Sequence, residues 1–133
     1  MKRFSLLLGL ALLVSLLAAC GTAASTNNST STTQNPTVKM GATTFDTNSI
    51  TISKGQTITF VDDAATGTMH MLVIGKNGVA ATEEGAPDFG GTNGQQTDPG
   101  QSWTSPPWNT PGTYYVTCIV HPTTMTLTVT VTG

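Results

Sequence analysis

From Pro111 to Val131 the chain reads PGTYYVTCIVHPTTMTLTVTV. Tyr114, Val116 and Cys118 fall on one parity of this stretch. Met125, Leu127, Val129 and Val131 share one parity of its second half, with Thr126, Thr128, Thr130 and the following Thr132 on the other. Successive side chains of a strand point to opposite faces, so the pattern predicts two strands, each with one buried face. Cys118 and Met125 belong to the inward-facing set.

The same period extends upstream. Ile50 and Ile52 alternate with Thr51 and Ser53, Lys54-Gly55 makes a turn, and Ile58 and Phe60 then alternate with Thr57 and Thr59, which predicts a strand pair. MHMLVI, from Met69 to Ile74, is a nearly continuous apolar run ended by Lys76-Asn77-Gly78, a strong turn signal. It reads as a central strand covered on both faces, with His70 on the same side as Leu72 and Ile74. Residues 79–101 read as a long loop of the kind that covers or lines a site, with room for one short helical turn at 80–84. Trp103, Trp108, Tyr114 and Tyr115 are assigned to core packing. No stretch of Val38–Gly133 shows a helical period. The expected fold is therefore an all-β Greek-key sandwich of about seven or eight strands.

Composition narrows the function. The protein has 133 residues, 5 Lys and Arg against 7 Asp and Glu, and only 9% charged residues. Five scattered cations cannot form the basic stripe that nucleic acid requires. Two Cys and 2 His exclude a disulfide scaffold and multi-centre metal chemistry, but leave room for one metal site.

The first part of the chain has a different character. Lys2 and Arg3 precede an uncharged apolar run from Phe4 to Ala19, which reads as an export signal peptide over residues 1–19. Leu17-Ala18-Ala19-Cys20 resembles the bacterial lipobox. That resemblance implies that Cys20 is lipidated, becomes the first mature residue and anchors the protein to a membrane. The mature chain then keeps 3 Lys and Arg against 7 Asp and Glu, a formal charge of −4. Twelve of the seventeen residues from 21 to 37 are Ser, Thr or Asn, and none is large and apolar. With Cys20 they read as a flexible tether, leaving 38–133 as the folded domain.

If Cys20 carries lipid, Cys118 is the only thiol left in the exported domain. It is either an inert buried side chain or a thiolate held by something that uses it. The spacing Cys118-x-x-His121-x-x-x-Met125, together with His70 as the one other imidazole, favours the second reading. One thiolate, two imidazoles and a weak axial thioether accommodate both Cu(I) and Cu(II). Structural zinc prefers four strong donors and iron–sulfur clusters need more thiolates.

The segment Pro111–Val131 is similar to the C-terminal copper loop of the cupredoxins, the plastocyanin, amicyanin and azurin group. Lys54–Phe60 and Pro99–Ser102 resemble that family's turns before strands. The resemblance extends over roughly Val38–Thr132, with the last third diagnostic. It implies one type 1 copper held by His70, Cys118, His121 and Met125. Three departures stand out. The His-to-Met spacing lies between the plastocyanin-like and amicyanin-like lengths, Met71 follows the first histidine where the family often has Asn, and Leu127 replaces a frequent Gly.

The resemblance further implies an electron carrier, not an enzyme. His121 would be the solvent-edge ligand, and Ile119, Val120 and Pro122 would form an apolar docking edge for redox partner proteins, a cytochrome or an oxidase or reductase. The expected protein is a monomer, exported and lipid-anchored at the outer face of the cytoplasmic membrane or in the cell envelope. The alternative is copper delivery or detoxification without redox cycling.

Overall fold

Nine strands form within residues 34–133, the part of the chain that the computed structural model describes. The expected signal peptide, Cys20 and the tether up to residue 33 lie outside the described residues. The strands are β1 (Thr37–Met40), β2 (Ser49–Ser53), β3 (Thr59–Asp62), β4 (His70–Lys76), β5 (Val79–Ala80), β6 (Gln95–Thr97), β7 (Ser102–Thr104), β8 (Gly112–Cys118) and β9 (Thr126–Thr132). One sheet has the order β1-β3-β7. The other runs β2-β9-β8-β4, and β5 and β6 each pair with the far edge of β4. Two mixed sheets facing each other make an all-β sandwich, as the alternation predicts. Among the described residues no helix is long and apolar enough to cross a membrane.

The core is the sum of the inward parities. Val38, Met40 and Phe60 come from the smaller sheet, and Leu72, Val116 and Leu127 from the larger, all fully buried. Each such side chain contributes about 1.5–3 kcal/mol by leaving water. Aromatic rings close the space between the sheets: Phe89 packs edge-on against Trp103 at 4.7 Å between centroids and against Phe60 at 6.0 Å. The Tyr114 hydroxyl donates to the Thr110 carbonyl at 2.9 Å, a corner bond that fixes the entry to β8.

Several expectations change in detail. Residues 50–53 and 59–62 are strands but do not pair. β2 runs parallel to β9, with Ile52 beside Val131, whereas β3 lies between β1 and β7 in the other sheet. The connection Lys54–Ile58 is too long for a tight hairpin and carries the chain from one sheet to the other. The strand count rises to nine because β5 and β6, of two and three residues, arise inside the segment read as a long loop. No helical turn forms at 80–84; the short 3-10 turn of that segment is Gly91–Asn93.

The Asn77-Gly78 turn forms as expected, with positive φ of 52° and 73°, the pattern of a tight hairpin. Gly75, just before it, has φ 139°. The turn lies against the side chains of Thr117 in β8 and Thr126 in β9. There the Gly78 N–H donates to Thr117 Oγ1 at 2.9 Å and the Asn77 N–H to Thr126 Oγ1 at 3.3 Å. Thr117, outward by parity, is consequently fully buried.

Candidate metal centre

Two strand ends create the site. β4 begins at His70 and β8 ends at Cys118, and the antiparallel register pairs Leu72 with Cys118, so His70 stands beside the chain that leaves β8. That chain folds back on itself before β9. The His121 carbonyl accepts from the N–H groups of Thr124 and Met125 at 3.4 and 3.2 Å, and the Cys118 N–H donates to the Met125 carbonyl at 3.0 Å. Thr117 Oγ1 donates to the same carbonyl at 3.0 Å, and Thr124 Oγ1 ties the loop to the Thr43 carbonyl at 2.6 Å.

Three donor atoms converge there. Cys118 Sγ lies 3.8 Å from His70 Nδ1 and 3.7 Å from His121 Nδ1, and all three atoms are within 4.8 Å of one another. Metal bonds of about 2.3 Å to sulfur and about 2.0 Å to nitrogen, opened to a trigonal angle of ~120°, separate S and N by about 3.7 Å. The donor set therefore fits one ion in a near-trigonal plane. His70 and Cys118 are fully buried, whereas His121 is half-buried and forms the open edge. The Met125 side chain is also fully buried and belongs to the core cluster that contains Cys118.

The Met71 main chain ties the His70 and Cys118 segments together. Its N–H donates to Cys118 Sγ at 3.4 Å and its carbonyl accepts from the Ile119 N–H at 3.0 Å. Of the methionines flanking His70, Met69 is 38% exposed and Met71 half-buried. Val120 is 43% exposed and Pro122 exposed, with Ile119 half-buried, so the residues expected at a docking edge surround His121 at the surface.

Sequence reading missed Asp62. This carboxylate is 1% exposed, and its Oδ1 lies 3.7 Å from His70 Nε2. Burial raises its pKa above the usual 3.8, opposed by the His70 imidazole and the Thr66 hydroxyl. Burial likewise lowers the His70 pKa below 6.5, opposed by Asp62 and reinforced by His121. At neutral pH His70 is therefore an unprotonated imidazole, the form that binds metals. The available signal was only an acidic pair, Asp62-Asp63, at the end of an apolar strand, which ordinarily marks a solvated turn.

The family of copper-binding proteins of the plastocyanin/azurin type matches residues 32–132. The chain belongs to this family, the cupredoxins. Its cofactor is one type 1 copper ion, which the trigonal donor set fits. Among solved structures, this cupredoxin is similar to a reduced amicyanin mutant, with 21% identity, a TM-score of 0.55, and 74% of this chain and 82% of that one covered. Amicyanin from Paracoccus versutus aligns over the same shares with 20% identity and a TM-score of 0.54. A copper-containing nitrite reductase from Thermus scotoductus SA-01 is also similar, with 21% identity and a TM-score of 0.56. That match takes in 75% of this cupredoxin but only 23% of the reductase. No curated protein matches the chain.

Proposed function

We propose that the protein is an exported, lipid-anchored carrier of single electrons between redox partner proteins, with copper held by His70, Cys118, His121 and Met125. The observation that carries this reading is the convergence of His70 Nδ1, Cys118 Sγ and His121 Nδ1 within 4.8 Å in a pocket built from two strand ends and a bonded loop. When bound, copper supplies a one-electron couple between Cu(I) and Cu(II).

The chain's own residues do the rest. Cys118 gives up its thiol proton on metal binding, and the Met71 N–H stabilises the sulfur charge that remains. The main-chain bonds around His121 and Met125 hold the donors in one arrangement for both oxidation states, which keeps reorganisation small. Burial of His70, Cys118 and Met125 excludes water, and half-buried His121 offers the shortest way out for an electron. Ile119, Val120 and Pro122 around it form the apolar surface on which a partner docks. With 9% charged residues, exchange with that partner should change little with ionic strength. Lys2-Arg3, the apolar run to Ala19 and Cys20 support export and anchoring by lipid, as a monomer on a tether.

The test is the visible spectrum of the full chain in detergent, loaded with Cu(II), beside a Cys118→Ala variant. An intense thiolate-to-copper band that is absent in the variant, and that bleaches and returns through reduction and reoxidation without copper loss, is the expected result. A colourless protein that takes up only Cu(I) would replace electron carriage by copper delivery.

A further inference from the structure

Among the described residues three buried side-chain atoms lack a hydrogen-bond partner: Asp62 Oδ2, His70 Nε2 and Thr97 Oγ1. They belong to His70 and to two residues placed next to it. Thr97 stands directly opposite His70 in the β4–β6 ladder, and Asp62 Oδ1 faces His70 Nε2 across 3.7 Å. Folded proteins leave few buried polar groups unpaired, and a carboxylate without a cation is among the costliest. Among the described residues no Lys or Arg acts on Asp62. Its one side-chain bond within reach is a long one, 3.4 Å from Thr66 Oγ1. Stability alone gives no reason for a carboxylate in this place.

The direction of the His70 ring does. A neutral imidazole carries one N–H and one lone pair. Nδ1 points at Cys118 Sγ, so a metal on Nδ1 places the proton on Nε2, where the Asp62 carboxylate is an acceptor. The two residues come from opposite sheets, β3 and β4, joined by a short 3-10 turn, Ala64–Thr66, capped by Asp63. We infer that Asp62 is a positioning residue: its carboxylate accepts from His70 Nε2–H, fixing the tautomer and ring orientation that present Nδ1 to the metal. The inference rests on His70 being a ligand. The rival acceptor is the Gly41 carbonyl, which also lies near the ring.

Asp62→Leu removes the acceptor, and Asp62→Asn keeps an oxygen that can take the same N–H. In the full chain, Asp62→Leu should weaken Cu(II) affinity, measured against a competing chelator, by about 10–100-fold and shift the thiolate-to-copper bands, with Asp62→Asn recovering most of both. In the Cu(I)-loaded wild type, nitrogen-15 NMR should find a proton on His70 Nε2 that is protected from exchange, and Asp62→Asn should move its resonance. Wild-type affinity and bands in Asp62→Leu would assign the ring to Gly41 and overturn the inference. Should Asp62→Leu fail to fold, a His70 Nε2–H resonance left in place by Asp62→Asn overturns it equally. Loss of the Cys118-dependent band in the wild type itself would instead remove the ligand reading, and this inference with it.

Discussion

Replacing Gly78 by alanine should damage the metal centre from outside it. Gly78 sits at φ +73°, and an added Cβ would lie 2.1 Å from Pro122 Cβ and 2.7 Å from Pro122 Cα, the residue after His121. Gly55 is the control, at φ +86° with nothing within 4 Å of its Cβ position. A left-handed alanine costs about 1–2 kcal/mol, and overpacking a fitted contact adds about 1–3 kcal/mol. The loss of unfolded-state freedom on going from Gly to Ala is common to both variants and cancels. Urea unfolding of the metal-free full chain, followed by circular dichroism, should therefore show Gly78→Ala losing about 1–3 kcal/mol more than Gly55→Ala. The copper-loaded spectra supply the second readout. Gly78→Ala should shift the thiolate band, because Pro122 must move and His121 with it, and Gly55→Ala should not. Equal destabilisation with unchanged bands in both would refute the buttressing of the ligand loop by the β4–β5 turn.

Other outcomes follow from burial and charge. Met125→Leu is nearly volume-conserving in a fully buried place, so it should cost less than about 1.5 kcal/mol yet move the reduction potential measured by voltammetry. The metal-free protein should lose stability as pH falls below 6.5, because the unfolded chain protonates its histidine before folded His70 does. That contribution is present above 6.5 and lost as pH falls through the lowered folded value. Urea midpoints across pH 7.5–5.5 would show the slope, and His70→Gln should flatten it.

The parts of this protein that were legible in sequence are those where parity and chemistry coincide. Cys118, Met125, Leu127 and Val129 are inward by alternation and fully buried in the fold, and both histidines stand where the spacing to a thiol gives them a purpose. Partner choice was not legible. Ile50 and Ile52 announce a strand, but nothing in a period of two says that it lies parallel to β9 and not against β3. Thr117 shows a related limit, since the turn that lies over it, at Asn77-Gly78, is far away in sequence. Asp62 is the sharpest case: an acid after Phe60-Val61 reads as the end of a strand in water, and only the approach of β4 from the opposite sheet makes it a neighbour of His70.

Cys118, His121 and Met125 fall within eight consecutive residues, while His70 reaches them only through the pairing of Leu72 with Cys118. An unfolded chain already holds the local trio close together, so metal can attach to it before the sandwich exists. Affinity for the unfolded chain subtracts from the stabilisation that a ligand gives the folded one. On the proposed ligand set, the free energy by which copper favours the fold therefore arises chiefly from the one donor brought from a distance. With those ligands, His70 is where metal occupancy and folding are thermodynamically linked, and its loss should uncouple melting temperature from copper concentration more completely than loss of any proposed donor in the loop.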